Sequence, residues 1–154
     1  MNLFLLEPEV AGGIGQNTIF SQSESDDENE VLHLHYEFEG WLGDELLETT
    51  PCFIITEELK NSILQSDLNG FEIKDVEVSI TEEFCEWHPD LVLPNFYRLV
   101  PKGKVTNEGT QYSLWSGTDF SVSQKQYLVV TPKAFEVLKK HKLNHCDIVE
   151  LTRG

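Results

Sequence analysis

The amino-acid sequence predicts an α+β fold in which helices pack on an antiparallel or mixed sheet. Three observations lead to this prediction: the chain's length and composition, a strand pattern over residues 31–39, and an internal repeat. The chain has 154 residues, of which 40% are hydrophobic and 10% aromatic. A chain of this size buries about two-thirds of its unfolded surface in one core. We therefore expect a single domain over residues 1–154.

Residues 31–39 alternate between apolar and polar side chains from Leu32 onward. A period of two is typical of a strand with one buried face. The inward face is predicted to carry Leu32, Leu34, Tyr36 and Phe38. The outward face is predicted to carry His33, His35, Glu37 and Glu39. A glycine turn at 40–43 then leads into one predicted helical turn at 44–48, with Asp44 as its N-cap.

The internal repeat aligns residues 53–76 with residues 128–151 without a gap. Each copy holds a short apolar strand, a threonine (Thr56 or Thr131), a Leu-Asn pair and a second apolar segment. A threonine hydroxyl can accept a hydrogen bond from a free N–H at the start of a helix. We therefore predict helices over about 56–66 and 131–142, each ended near its Leu-Asn pair. The result is a strand–helix–strand unit used twice, which favours the α+β class.

The charge is strongly acidic and unevenly distributed. The formal net charge is −16. Residues 1–90 carry 22 acidic and two basic side chains, a balance of −20, whereas residues 91–154 carry five acidic and nine basic ones, a balance of +4. This excess argues against binding to nucleic acid or to an anionic membrane, because both need Lys and Arg. It solubilises the surface, or it attracts a basic partner.

Part of this acidity lies in a polar segment at residues 21–30, which almost lacks apolar side chains. Such a composition predicts a mobile acidic loop. Its acidic residues are Glu24, Asp26, Asp27, Glu28 and Glu30.

The pattern His33-x-His35 with Glu39 resembles the first half of the cupin metal motif, since alternate residues of one strand can share a metal ion. The cupin pattern expects glycines where this chain has Asp27 and Leu46, and a second-half histidine where it has Thr106. A metal site at His33, His35 and Glu39 is therefore an alternative to a polar strand face. No cofactor is expected.

The three cysteines, Cys52, Cys85 and Cys146, form no C-x-x-C pair. They indicate reduced thiols in a cytoplasmic protein rather than a disulfide framework or a zinc ribbon. Cys85 and His88 have the spacing of two metal ligands but lack a second pair. The segments Trp41–Asp44 and Trp115–Asp119 each place a tryptophan beside a glycine turn. Such a tryptophan either packs in the core or anchors an interface.

The segments 8–13 and 35–44, together with the two strand–Thr–helix–Leu-Asn–strand units, resemble a family of small bacterial proteins. This family is related to the myxobacterial-type immunity proteins of polymorphic toxin systems. The resemblance covers most of the chain. It implies a cytoplasmic protein that binds and neutralises a cognate toxin domain, and it supplies no catalytic residue.

These observations predict a non-catalytic, immunity-like protein whose partner is a cognate toxin domain or another basic protein. The alternatives are the cupin-like metal protein and a structural or regulatory domain without a toxin partner. The candidate partner-binding residues are the acidic and histidine side chains of the most acidic stretch: Asp26, Asp27, Glu28, Glu30, His33, His35, Glu37, Glu39, Asp44 and Glu45.

Overall fold

Strands dominate the computed structural model, which describes residues 1–21 and 31–154. Strands make up 44% of these residues and helices 15%, and six strands close into a barrel. The predicted helix-packed α+β fold is therefore wrong. The physical reason is that the helices are short, while segments with too few residues to show a clear alternation, such as 111–113 and 120–123, pair as strands.

Fifteen strands and three helices make up the described part of the chain. The strands are β1 (Leu3–Glu7), β2 (Gly12–Ile14), β3 (Ile19–Phe20), β4 (Val31–His33), β5 (His35–Phe38), β6 (Leu46–Thr49), β7 (Cys52–Thr56), β8 (Phe71–Lys74), β9 (Glu77–Ile80), β10 (Phe96–Pro101), β11 (Gly103–Glu108), β12 (Gln111–Ser113), β13 (Phe120–Ser123), β14 (Leu128–Val130) and β15 (Asp147–Arg153). The helices are α1 (Glu57–Gln65), α2 (Glu82–Trp87) and α3 (Pro132–Leu138).

The strands form a barrel and three open sheets. The barrel has the order β1-β14-β13-β11-β12-β15. A four-stranded sheet has the order β6-β7-β10-β8, a three-stranded sheet has the order β2-β5-β9, and β3 pairs with β4.

The core lies in three successive layers, because the central strands are buried on both faces. All five residues of β7 are buried: Phe53 and Ile55 face the central layer, whereas Cys52 and Ile54 face the layer beneath the three-stranded sheet. In β14, Leu128 and Val130 join the same central layer, and Val129 joins the third layer with other barrel residues. The central layer therefore joins the four-stranded sheet to the barrel, and buried residues of α1 and α3 complete it.

The two repeat copies share one strand register. In the first copy, β7 and β8 flank β10, and Leu99 of β10 is paired with Phe53 and Ile73. In the second copy, β14 and β15 flank β1, and Leu6 of β1 is paired with Leu128 and Ile148. The paired positions of the two copies differ by the same 75 residues as the sequence repeat. Each copy thus takes its middle strand from a segment outside the repeat.

Two carboxylates hold the helix starts. The Thr56 hydroxyl accepts from the Leu59 N–H (3.2 Å) and donates to Glu45 Oε1 (2.8 Å). The Thr131 hydroxyl accepts from the Ala134 N–H (3.3 Å) and donates to Asp119 Oδ1 (2.7 Å). Both threonines are therefore helix N-caps, as their side chains allow.

The second oxygen of each carboxylate reaches the loop that follows the other helix. Glu45, whose Oε1 contacts the N-cap of α1, accepts at Oε2 from the Lys142 N–H in the loop after α3 (3.0 Å). Asp119, whose Oδ1 contacts the N-cap of α3, accepts at Oδ2 from the Asn69 N–H in the loop after α1 (3.0 Å). The two copies are thus joined crosswise.

The Leu-Asn pairs do not end the helices, since α1 ends at Gln65 and α3 at Leu138. Polar residues follow each helix and leave it no apolar face to bury. The asparagines lie in the loops, where Asn69 and Asn144 donate their backbone N–H groups to Asp119 and Asp44.

The predicted single strand over 31–39 is interrupted at Leu34. β4 pairs with β3, whereas β5 pairs with β2 and β9, so the two halves lie in different sheets. The alternation therefore fails at two positions: Leu32 is 57% exposed and His35 is 5% exposed. The predicted helical turn at 44–48 is also wrong, because β6 begins at Leu46 and pairs with β7.

Replacing Asp119 with alanine should destabilise the protein. The Thr131 hydroxyl and the Asn69 N–H would lose their acceptor, which we expect to lower the free energy of unfolding by about 2–3 kcal/mol. Urea denaturation monitored by tryptophan fluorescence measures this change. The exposed Glu108, replaced with alanine in the same way, is the matched control. A D119A stability equal to that of E108A would contradict the crosswise connection.

Candidate functional site

The sequence-predicted partner-binding residues fall into three groups. Asp26, Asp27, Glu28 and Glu30 are outside the described residues. Glu37 is half-buried and Glu39 is exposed. The other four, His33, His35, Asp44 and Glu45, are hydrogen-bonded to other parts of the chain.

The two histidines contact β9 and the loop before β3. His33 Nε2 lies 3.0 Å from Glu77 Oε1, and this hydrogen bond holds the pKa of Glu77 below its usual range. His35 Nδ1 accepts from the Asn17 N–H (3.2 Å), so a neutral ring carries its proton on Nε2, which lies 2.7 Å from Ser79 Oγ. Both ring nitrogens of His35 are therefore occupied by protein contacts.

The Asp44 and Glu45 carboxylates accept hydrogen bonds from the backbone of the loop that follows α3. Asp44 is fully buried and accepts from the N–H groups of Asn144 (3.0 Å) and His145 (2.7 Å). Burial acts to raise the pKa of Glu45, but hydrogen bonds from Lys142, Thr56 and His141 outweigh it and hold the pKa below its ordinary value. Asp44 is therefore closed to a partner, whereas the Glu45 side chain keeps 13% of its surface exposed.

One group of metal-capable side chains occurs among the described residues, and it differs from the predicted His33, His35 and Glu39. It consists of Glu9, Asp44 and His145, whose ligand atoms all lie within 4.8 Å of one another. Sequence spacing could not show this group, because its members come from three distant segments. Only Asp44 was a candidate residue from sequence.

Further acidic side chains lie near this group. Burial and the neighbouring Glu7 raise the pKa of Glu48 to about 7. Burial, with the charges of Asp44 and Asp147, raises the pKa of the Cys146 thiol to about 12. This part of the molecule therefore disfavours additional negative charge.

A second feature is an exposed surface on α2 and the turn after it, which we call the α2 surface. Its apolar members are Trp87 (78% exposed), Leu91 (41%) and Val92 (85%). Its acidic members, all exposed, are Glu82, Glu83, Glu86 and Asp90. Residues 75–97 contain six acidic side chains and no lysine or arginine. That run was a signal in the sequence, but the sequence could not show that Trp87 points away from the core.

The core fixes the position of the α2 surface. Phe84 is 2% exposed and meets Phe38 edge-on, with the ring centroids 6.5 Å apart. The Thr81 hydroxyl caps the helix by accepting from the Phe84 N–H (3.1 Å). Trp87 is therefore an exposed residue on a helix that Phe84 holds against the core.

An acidic groove adjoins this surface at Val92. The groove has a volume of about 620 Å³, and its charged lining residues are Glu45, Glu57, Glu58 and Lys142, so the acidic ones predominate. Glu57 and Glu58 form the first turn of α1, where their charges also suit the helix dipole. The α2 surface and the groove together combine apolar anchors with negative charge.

No protein-family model and no curated protein matches this chain. Within the described parts of the chain, every helix is too short or too polar to cross a membrane.

Replacing Glu48 with glutamine should stabilise the protein at high pH. The folded-state pKa of about 7 lies above the ordinary value of 4.5, so ionisation of Glu48 costs stability as the pH rises from 4.5 through 7. E48Q removes that cost, and we expect a gain of about 1–2 kcal/mol at pH 8, reduced from the full shift because the side chain is partly solvated. Chemical denaturation at pH 8 and at pH 4 measures the effect.

At pH 4 the advantage of E48Q should vanish, since Glu48 is then protonated in both the folded and unfolded states. E108Q, at an exposed glutamate, is the control and should differ little from the parent protein at either pH. An E48Q gain of the same size at both pH values would show that the effect is not ionisation.

Proposed function

We propose that this protein is a non-catalytic, immunity-like protein of the cytoplasm that binds and neutralises a cognate, basic toxin domain. The observation that carries the proposal is the α2 surface, where an exposed tryptophan is surrounded by acidic side chains. The resemblance of the sequence to immunity proteins of polymorphic toxin systems supports the same function.

Trp87 is suited to anchor a partner. Tryptophan is enriched among the few residues that supply most of the binding energy of an interface. Its exposed fraction of 78% leaves a large apolar area to bury. Leu91 and Val92 extend this area, so a partner could cover all three side chains in one contact.

The acidic side chains favour a basic partner. Complementary charge around an apolar centre speeds association and excludes partners of like charge. Residues 1–90 carry a net charge of −20, to which the α2 surface and the groove beside it contribute. A toxin domain that binds nucleic acid carries the opposite charge on its own site, so binding here would also cover that site.

The thiols fit a reducing compartment. Cys52, Cys85 and Cys146 are all free, and Cys52 is buried. Free thiols are the ordinary state in the cytoplasm, where a toxin domain would be neutralised. The acidic residues at 26–30 remain predicted contributors to the same interaction.

Replacing Trp87 with alanine should weaken binding to the C-terminal toxin domain encoded by the neighbouring gene by about 30-fold or more. The loss follows from removing the apolar anchor. Isothermal titration calorimetry with the purified toxin domain measures it, and loss of protection in cells that express the toxin gives a second readout. Because Trp87 is exposed, the thermal stability of W87A should equal that of the parent protein.

The control for W87A is L114A, since Leu114 is 83% exposed and lies in the turn between β12 and β13, outside the acidic surface. L114A should bind the toxin domain as the parent protein does. Failure of the parent protein to bind at low salt would contradict the proposed function. Equal affinities of W87A and L114A would contradict the role of the α2 surface.

Replacing Glu86 with lysine tests the role of charge. We expect slower association with the toxin domain and a weaker dependence of the association rate on salt. Glu86 is preferred over Glu82 and Glu83, whose charges stabilise the start of α2. Stopped-flow kinetics at several ionic strengths measures the effect, with E108K as the charge-matched control. Equal association rates for E86K and E108K would contradict electrostatic steering by this surface.

A further inference from the structure

Glu9, Asp44 and His145 meet where three segments approach one another. Glu9 follows β1, Asp44 precedes β6, and His145 lies in the loop before β15. Their ligand atoms all lie within 4.8 Å of one another. His145 presents its Nδ1 to Asp44 Oδ1 at 3.2 Å, and its side chain is 42% exposed, so the group is accessible from one side.

The two carboxylates of this group are buried close together. Glu9 is 7% exposed and Asp44 is fully buried. Two buried carboxylates in proximity repel each other and lose their hydration, which is costly unless a cation compensates them.

Glu9 also has an oxygen without a partner. Its Oε2 accepts from the Leu42 N–H (2.9 Å), whereas Oε1 is buried without a hydrogen-bond partner among the described residues. Buried polar atoms in proteins are nearly always paired, and an unpaired carboxylate oxygen is especially unfavourable. A cation would supply the missing partner.

A comparison of the two repeat halves shows which residues of this group are specific to one of them. Asp119 and Asp44 each accept an asparagine N–H. The strand register nevertheless matches Asp119 to Glu45, because Phe120 pairs with Val130 as Leu46 pairs with Ile55, so the residue that corresponds to Asp44 is Thr118. The residue that corresponds to His145 is Gly70. Lys102 corresponds to Glu9, because Lys102 directly follows Pro101 of β10 as Glu9 directly follows Pro8 after β1. A carboxylate therefore accepts the asparagine N–H in both halves, whereas the set of Glu9, Asp44 and His145 is found in one half and Lys102, Thr118 and Gly70 stand in its place in the other.

We propose that Glu9, Asp44 and His145 bind one divalent transition-metal cation, of which Zn²⁺ is the representative. An imidazole with two carboxylates is a donor set that suits Zn²⁺ and its neighbours in the first transition row. The N–H groups of Asn144 and His145 orient Asp44, as outer contacts orient the ligands of known metal sites. The cation links the segment that follows β1 to the loop before β15.

Zinc binding to the metal-stripped, full-length protein tests this proposal. Isothermal titration calorimetry should show one saturable site, and Zn²⁺ should raise the Tm of the parent protein. H145A and E9Q should each weaken binding at least tenfold. Co²⁺ in place of Zn²⁺ should give a visible absorption spectrum that H145A abolishes. Asp44 is not varied, because it also anchors the loop at 144–145.

H88A is the matched control, since His88 is an exposed histidine at the end of α2 and is not a member of this group. H88A should bind Zn²⁺ as the parent protein does. Absence of saturable binding at about 100 μM Zn²⁺ would overturn the proposal. Binding that H88A abolishes, or that H145A and E9Q leave unchanged, would overturn it as well. The metal site does not rest on the proposed toxin binding, which is measured separately.

Discussion

The crosswise connection made by Glu45 and Asp119 is the constraint on which the rest of the structure depends. Each carboxylate fixes the threonine that caps one helix and the loop that follows the other helix. Both helices supply buried side chains to the central core layer, which joins the four-stranded sheet to the barrel. The carboxylates thus hold in place the layer through which the two sheets contact each other.

The repeat was visible in the sequence because it rests on local chemistry. The sequence predicted that Thr56 and Thr131 cap helices and that the apolar runs before them are buried strands, and both predictions are confirmed. The barrel was not visible, because closure depends on pairs such as Phe4 with Val130 that no local pattern specifies. Similarly, His35 was expected outside, but a change of sheet at Leu34 turns it inward. At the candidate sites, the sequence identified Asp44 and the acidic excess but not Glu9, His145 or the exposure of Trp87, since contacts between distant segments decide all three.

The two halves of the repeat share a scaffold but differ in the side chains added to it. Asp44 and Asp119 have the same loop-anchoring role, yet only the first has a glutamate and a histidine beside it. The Trp41 and Trp115 side chains belong to the shared scaffold, because each donates its Nε1–H to a carbonyl three residues later. The paired features support the fold, and the unpaired features, including the α2 surface, are where binding chemistry is to be sought.

The position of β1 has a consequence for how the chain reaches its folded state. Leu5 pairs with Val129 on one side and with Val149 on the other, so β1 must wait for strands near the other end of the chain. During synthesis on the ribosome β1 is made long before β14 and β15, so the apolar β1 initially has no strand to pair with on either side. High contact order of this kind slows folding and leaves a strand open to aggregation. The acidic residues that dominate the first 90 positions would keep such a nascent chain dispersed while it waits for its barrel partners.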